Sequence, residues 1–541
     1  MTMGGYAYAP LPTQSGDEET SSSRTSAKSD LGVNESAMWA GQAGSVHLRS
    51  DDKSTQNSQS LPTYTSPSAS SQPTSFIQRL VVVLVLITIW PLIYFLFPSY
   101  LTSPTSSSTS IDVPPLSPSF VAECNALLKA PSHTYTKRIE SLVRALPPST
   151  GWIAEPGPSA EYFLGGFASS DWWLSERPFL IHISASASSA SSVEPTITLL
   201  TPAFEALRAS LMPLPEEIKS KVNWVEWKEN QSPYSVLADS VGEGARRFVS
   251  DGLVRHFIGD GLRDVMEEEK DAKVVQGVKE IRERKDKREV GLLRCANQFT
   301  LHAIRKTRAQ MHIGITESET RAILDEELAA TGLEDGEGLI LFGENAALPH
   351  GSGTNRALGK RDFALIDCGG KWGGYVSDIT RTFALPDSDI PQSHIEMWET
   401  VRQVQHAPYE LLLSSNITSP PIHAELDKTA RNLLTIKKGA KAASADPDFS
   451  VFTHRLGHGI GLEGHESPYL VQGPLGSKPV LSGHVFSLEP GIYIPADGKE
   501  DWNGIKGVGV RLEDCFVVTQ DEDGKLGGEW LSGPVEKWGD I

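Results

Sequence analysis

Near its C-terminus the chain reads HRLGHGIGLEGHE, His454 to Glu466, with histidines at 454, 458 and 465 and glycines at 457, 459, 461 and 464. Imidazoles at this density suit metal ligation or proton transfer. Two other readings fail. Gly459-x-Gly461-x-x-Gly464 has the spacing of a dinucleotide-binding turn, but such a turn follows a strand and opens a helix, whereas Pro468 follows here and no helical pattern does. His454 and His458 would share a face of a helix, yet four glycines at roughly 1 kcal/mol each oppose one, and there is no His-Glu-x-x-His string. So many glycines predict an extended segment with something close against its backbone.

Acidic residues interrupt apolar, strand-like runs in the same half of the chain: Asp367 in FALIDCGG, Asp378 in YVSDITRTF, Glu489 in HVFSLEPGIYI and Glu513 in VGVRLEDCFVV. Any one alone is most simply a carboxylate on a solvated strand face. Four buried without partners would each cost several kcal/mol, so they are either protonated or neutralised by cations. Two divalent ions would balance four carboxylates. Carboxylates with one imidazole form a moderately hard donor set that favours Mn²⁺, with Zn²⁺ or Co²⁺ as alternatives, over a thiolate metal. Two ions bridged by shared carboxylates would lie roughly 3.5–4 Å apart, as in hydrolytic two-metal centres.

Bringing these groups together requires hairpins. Asp367 and Asp378 flank CGGKWGGYVS, a Gly-rich turn, and Glu489 and Glu513 lie on runs joined by the polar DGKEDWNG. An amphipathic helix begins at about Lys287, with Leu292, Ala296, Phe299 and Ala303 on one face, and Thr316-x-x-Glu319 predicts a capping box for the next helix. A helical stretch followed by Ile-Thr recurs at 417–418, after Ile315-Thr316, which hints at two related halves. From about residue 118, apolar runs such as TGWIAEP, PFLIHIS and TITLLTP alternate with helical stretches, the pattern of a mixed α/β fold. The charged run Glu267–Glu289 reads as a solvated helix or connector.

Over residues 118 to 530 the chain resembles the pita-bread metallopeptidases: Xaa-Pro aminopeptidase, prolidase, methionine aminopeptidase and the metal-free creatinase. Five motifs in order carry the resemblance: LPHGSGTN, LIDCGGKWGGYVSDITRTF, HRLGHGIGLEGHE, SLEPGIY and RLED. The resemblance implies that Asp367, Asp378, His458, Glu489 and Glu513 bind two divalent ions that lower the pKa of a shared water. It makes Glu489 the general base as well. It assigns His350 to hydrogen bonding of the substrate, His465 to the tetrahedral intermediate and proton transfer, and His454 to the substrate side. Arg511 and Thr380 would hold the ligating carboxylates. On this reading only His458 of the three histidines is a ligand, and the glycines admit substrate. His312, His394 and His406 read as ordinary hydrogen-bonded histidines. His484 and Gly464 depart from the usual pattern.

The remaining sequence bounds the setting. A formal net charge of −19 over 541 residues argues against nucleic-acid binding. Four cysteines, Cys124, Cys295, Cys368 and Cys515, are too few for a disulfide framework and lack a Cys-x-x-Cys pair. Residues 1–79 are polar and predict a disordered cytosolic tail. Leu80–Phe97 is an uncharged run about 27 Å long as a helix, which predicts a single-pass signal anchor. Arg79 on one side, and no Lys or Arg on the other until Lys129, places the catalytic part in a lumen or outside the cell. A Ser/Thr/Pro-rich stalk, 98–117, follows, then a creatinase-like N-terminal domain, 118–286, and a pita-bread domain, 287–541. Asn230 and Asn416 would be glycan acceptors on that side.

The expected function is therefore metal-dependent release of an N-terminal residue that precedes proline, with membrane attachment through Leu80–Phe97 and a homodimer allowed. Proline removes the amide donor and fixes φ, so a dedicated site is needed to cleave before it. The alternatives are an Xaa-Pro dipeptidase (prolidase), which shares every motif, and a membrane-anchored pseudoenzyme serving as a binding module.

Overall fold

The computed structural model of the chain describes residues 112–185, 194–439, 449–538 and 541. The predicted tail 1–79, the predicted span Leu80–Phe97 and residues 98–111 of the predicted stalk lie outside the described residues. Among the described residues no helix is long and apolar enough to cross a membrane. The last stalk residues belong to the folded body: Val113 is buried and Leu116 packs on a core.

The first layer is a six-stranded sheet made of β1 (Thr150–Ala154), β2 (Leu180–Ala185), β3 (Pro195–Pro202), β4 (Val222–Trp227), β5 (Arg247–Ser250) and β6 (Glu267–Glu268). Their order is β4-β3-β2-β1-β5-β6, with β2 antiparallel to both neighbours and the remaining pairs parallel. All five residues of β1 are buried because both faces are covered. Alternate side chains take opposite faces: Trp152 packs with Ile139 and Leu142, whereas Ile153 packs with Leu237 and Ile258.

The second layer repeats one plan. Helices Lys287–Gln310 and Glu317–Ala330 precede β7 (Glu334–Phe342), β8 (Ala364–Trp372), β9 (Tyr375–Val376) and β10 (Ile379–Phe383), ordered β10-β8-β7 with β9 on β8. Helices Gln392–Leu413 and His423–Lys437 then precede β11 (Gly457–Gly459), β12 (Glu466–Leu470), β13 (Val485–Leu488), β14 (Gly491–Ile494), β15 (Val508–Arg511), β16 (Asp514–Gln520) and β17 (Leu526–Trp530). Of these, β12-β11-β13-β16-β17 form one antiparallel sheet and β14-β15 a separate hairpin. Leu292, Ala296, Phe299 and Ala303 are all buried, and the Thr316–Glu319 capping box is present.

Three features differ from the sequence reading. Helix Pro118–Leu127, assigned above to the N-terminal domain, also packs on Lys287–Gln310: Phe120 meets Phe299 at a 5.8 Å ring separation, and Cys124 is disulfide-bonded to Cys295. The run Glu267–Glu289 is only partly solvated, because Glu283, Lys285 and Glu289 are buried. Two of the glycines of HRLGHGIGLEGHE, Gly457 and Gly459, answer to the backbone of neighbouring strands. A Cβ on Gly457 would stand 1.9 Å from the Ser487 carbonyl oxygen, and one on Gly459 2.4 Å from that of Ser467.

Candidate metal centre and active site

Strand ends bring the predicted residues together. Asp367 lies in β8 opposite Thr380 of β10, and Asp378 directly precedes β10. His458 is the middle residue of β11. Glu489 falls in the break between β13 and β14, and Glu513 in the break between β15 and β16. The chain leaves the five-stranded sheet for the β14-β15 hairpin at the first break and returns to it at the second, so the two carboxylates sit at the same seam. The Glu489 N–H donates to the Leu456 carbonyl at 2.8 Å and the Glu513 N–H to the Thr380 carbonyl at 3.1 Å, which ties the seam to both sheets.

The five predicted ligands form overlapping groups. Ligand atoms of Asp367, Asp378 and Glu513 all lie within 4.8 Å of one another, as do those of His458, Glu489 and Glu513. His458 Nε2 is 3.3 Å from Glu489 Oε1 and 3.7 Å from Asp378 Oδ2. Its Nδ1 lies 3.1 Å from the Gly459 carbonyl, which can only accept, so the hydrogen sits on Nδ1 and the Nε2 lone pair faces the carboxylates. His465 enters a third group with Asp378 and His458 within the same limit, its ring centroid 4.0 Å from that of His458.

Arg511 organises the surrounding shell. Its Nη2 donates to Asp367 Oδ2 at 2.6 Å and its Nε to Thr380 Oγ1 at 3.0 Å, while Thr380 Oγ1 donates to Glu513 Oε2 at 2.7 Å. Its Nη1 donates to the Tyr493 hydroxyl at 3.0 Å and to the Pro349 carbonyl, beside His350, at 3.3 Å. His454 Nδ1 donates to the Arg455 carbonyl at 2.8 Å, leaving its Nε2 to accept from the Tyr493 hydroxyl at 2.7 Å. Both nitrogens of His454 are thus engaged by protein. His350 is exposed. Asp514, one residue beyond Glu513, points to the other face and pairs in the core with Arg381 at 2.6 Å.

Tyr493 and Arg381 escaped the sequence reading. Tyr493 stands four residues after Glu489 in SLEPGIY, where an aromatic residue in a buried strand looks like core. Arg381 stands in DITRTF, and its charge inside an apolar strand was an available signal.

The electrostatics call for cations. Burial, and then Asp367 and Glu489, push the Asp378 carboxyl well above its ordinary pKa; burial and Asp378 do the same to Glu513. Burial also opposes a charge on Glu489, yet its carboxyl lies below the usual range, and the Arg511 guanidinium is the fixed cation that favours the ionised form. Glu513 is 2% exposed, and its Oε1 has no hydrogen-bond partner among the described residues. Four carboxylates therefore face one arginine, and a buried acceptor is left open. The residues fit a divalent-metal site. Cys368 and Cys515 are buried with their thiols pushed up by burial, which keeps them out of the donor set.

A mixed α/β body that gathers an oxygen-rich, histidine-containing donor set at a seam between antiparallel sheets defines the class of metal-dependent hydrolases. Residues 291–520, which contain every predicted site residue, match metallopeptidase family M24. The chain is 36% identical over 369 residues to an uncharacterized peptidase of Schizosaccharomyces pombe, across 68% of this chain and 75% of the other. It is 28% identical over 306 residues to the Xaa-Pro dipeptidase of Pyrococcus furiosus, across 56% of this chain and 78% of the other. The fold superimposes on dipeptidase PepE of Mycobacterium ulcerans with a TM-score of 0.60 at 24% identity, covering 76% of this chain and 98% of that one. The chain belongs to metallopeptidase family M24, and the pita-bread resemblance holds at the level of family and fold.

Proposed function

We propose that this peptidase cleaves the bond between an N-terminal residue and a following proline, using two divalent ions held by Asp367, Asp378, His458, Glu489 and Glu513. The observation that carries the reading is the gathering of four carboxylates and His458 into two overlapping groups that share Glu513, whose Oε1 has no hydrogen-bond partner among the described residues. Divalent ions bound there supply Lewis-acid activation of a water molecule at neutral pH.

The chain's own groups account for the proton transfers. Glu489, ionised and oriented by Ser487 Oγ at 3.4 Å, accepts a proton as water oxygen attacks the scissile carbonyl carbon. The same proton goes to the proline nitrogen as the C–N bond breaks. His465 is kept neutral, its pKa pushed down to about 3 by burial and by His458. Arg455 Nη2 lies 3.1 Å from His465 Nδ1, and a guanidinium can only donate, so His465 carries its hydrogen on Nε2. An N–H at Nε2 is of the kind that can donate to a developing oxyanion. His350 lies on the loop tied to Arg511 through Pro349 and is open to substrate. His454 orients Tyr493 and, through it, Arg511.

A dipeptidase reading shares all of this and is favoured by the name of the Pyrococcus furiosus relative. The complete donor set speaks against a binding module without catalysis. The test is hydrolysis by the manganese-loaded full chain of matched Xaa-Pro dipeptides, Xaa-Pro-containing tripeptides and Met-Ala-Ser. Turnover of the tripeptides supports an aminopeptidase, turnover of dipeptides alone a prolidase. Cleavage of Met-Ala-Ser in preference to both removes the proline reading. We further propose that Leu80–Phe97 anchors the enzyme with its catalytic part on the lumenal or extracellular side. The charge asymmetry around that run supports this, and the Cys124–Cys295 disulfide suits an oxidising compartment.

A further inference from the structure

The connector Glu267–Glu289 ends in charges that are not solvated. Arg282, at the end of helix Ala272–Glu283, places Nη2 2.9 Å from Glu463 Oε2 and 2.9 Å from Glu466 Oε2. Its Nη1 donates to Ser159 Oγ at 2.9 Å, in helix Pro158–Leu164 of the first layer. Lys285, whose side chain is 1% exposed, pairs with Glu466 Oε1 and donates to the Arg282 carbonyl at 2.9 Å. The Glu463 N–H donates to Glu466 Oε2 at 3.3 Å, and Ser467 Oγ donates to Glu283 Oε1 at 2.5 Å. Buried Lys285 and half-buried Arg282 thus match two carboxylates, and those carboxylates bracket His465.

Buried ion pairs are weak stabilisers compared with apolar packing of the same volume, so this quartet calls for a role other than stability. Its position supplies one. The segment from Gly461 to His465 is an irregular bend outside both β11 and β12, and it contains Gly461 and Gly464. Such a bend does not fix a side chain by itself. Arg455 meets the ring at Nδ1, and the connector holds the backbone end of the bend: Glu466 is the residue next to His465, and its two oxygens are taken by Lys285 and Arg282.

We propose that Arg282 and Lys285 are positioning residues for His465: by holding Glu466, and Arg282 also Glu463, they fix the bend so that the imidazole faces the reacting bond. The kinetic consequence rests on the Xaa-Pro peptidase reading; the geometric one does not. Through Ser159 the same guanidinium links the first layer to the active site.

The test uses the full chain at one manganese concentration, with Arg282→Gln, Arg282→Lys, His465→Ala and the double variant Arg282→Gln/His465→Ala. Arg282→Gln is expected to lower kcat on an Xaa-Pro substrate about 10- to 100-fold, the cost of misplacing a reacting group by about 1 Å. KM should stay within about threefold, as for an interaction felt only in the transition state. Bound manganese should equal that of the parent, and Arg282→Lys should recover most of kcat. In the double variant the Arg282 substitution should cost nothing further, because the group it positions is gone. A second readout does not need activity: the amides of 461–467 should exchange hydrogen faster in Arg282→Gln, while those of Val485–Leu488 stay as in the parent. Additive losses in the double variant, or unchanged exchange over 461–467, overturn the proposal. If the parent cleaves no Xaa-Pro substrate the peptidase reading falls by itself, and the exchange measurement decides the positioning role. Should Arg282→Gln fail to fold, Arg282→Lys, which keeps the charge and loses the fork, gives the same comparison at smaller amplitude.

Discussion

Three histidines within one short segment have three different surroundings. His458 turns a lone pair toward Asp378 and Glu489, His465 stands beside it with Nδ1 facing Arg455, and His454 is engaged by Tyr493 and the Arg455 carbonyl. Their substitutions should therefore separate. His458→Ala removes a donor nitrogen and is expected to lose bound manganese together with activity. His465→Ala is expected to keep the parent's metal content and lose roughly 10²–10⁴-fold in kcat, the usual worth of a positioned acid or base. Metal analysis and steady-state kinetics on both variants check this, and the reverse pattern would exchange the two assignments.

At the scale of elements, two contacts join segments distant in sequence. The Cys124–Cys295 bridge spans 171 residues and fastens helix Pro118–Leu127 to helix Lys287–Gln310. Closing a loop of that length is worth about 5 kcal/mol in the chain-entropy account. Replacing both cysteines by serine is expected to lower the melting temperature by several degrees and leave kcat of the folded protein unchanged within about twofold, since the bridge lies outside the site. Calorimetry and kinetics on the double variant measure both effects.

The second contact joins the start of helix His423–Lys437 to the residue before β13, where His423 and His484 stack at 5.2 Å with His423 Nε2 3.2 Å from His484 Nδ1. Burial lowers their pKa values to about 4 and about 3 respectively, and Lys285 and Arg284 add to the effect at His484. The folded protein therefore binds fewer protons than the unfolded chain, in which histidine titrates near 6.5. Stability is fully present above that pH and is lost as pH falls toward 4. By pH 5 the loss is about 2 kcal/mol for one ring. Urea unfolding at pH 7 and pH 5 is expected to show a smaller drop for His484→Phe than for the parent; equal drops would falsify the assignment.

For the whole molecule, the decisive quantity is the uncompensated charge at the seam. Removing divalent metal leaves Asp367, Asp378, Glu489 and Glu513 opposed by Arg511. Chelation is expected to abolish peptidase activity and lower the melting temperature, with both restored by manganese; full activity of metal-free protein would sink the metal-centre reading. Topology is tested on the full chain in a eukaryotic host. Asn416 lies in a surface turn after helix Gln392–Leu413, and its Oδ1 accepts from the Thr418 N–H at 3.0 Å. A glycan on Asn416 and none on Asn34 is the expected pattern for a cytosolic N-terminus, and the opposite pattern reverses the orientation.

The sequence by itself picked out the candidate metal ligands and the family. Carboxylates inside apolar runs are visible without coordinates, because a strand's alternation makes a misplaced charge conspicuous. The Asp367–Asp378 hairpin, the apolar face of Lys287–Gln310 and the Thr316 capping box were legible for the same reason: each depends on residues a few positions apart. Tertiary structure alone decided what depends on distant closure. It set which cysteines pair, why Gly457 and Gly459 are glycines, and that Tyr493 links His454 to Arg511. It also turned an apparently solvated connector into the grip on Glu466, across a separation of 184 residues for the Arg282 contact. Local pattern reports whether a residue faces a core or water. Which partner it meets there is fixed only when the sheets close on one another, and for charged groups the partner decides between a solvated surface and a buried, oriented pair.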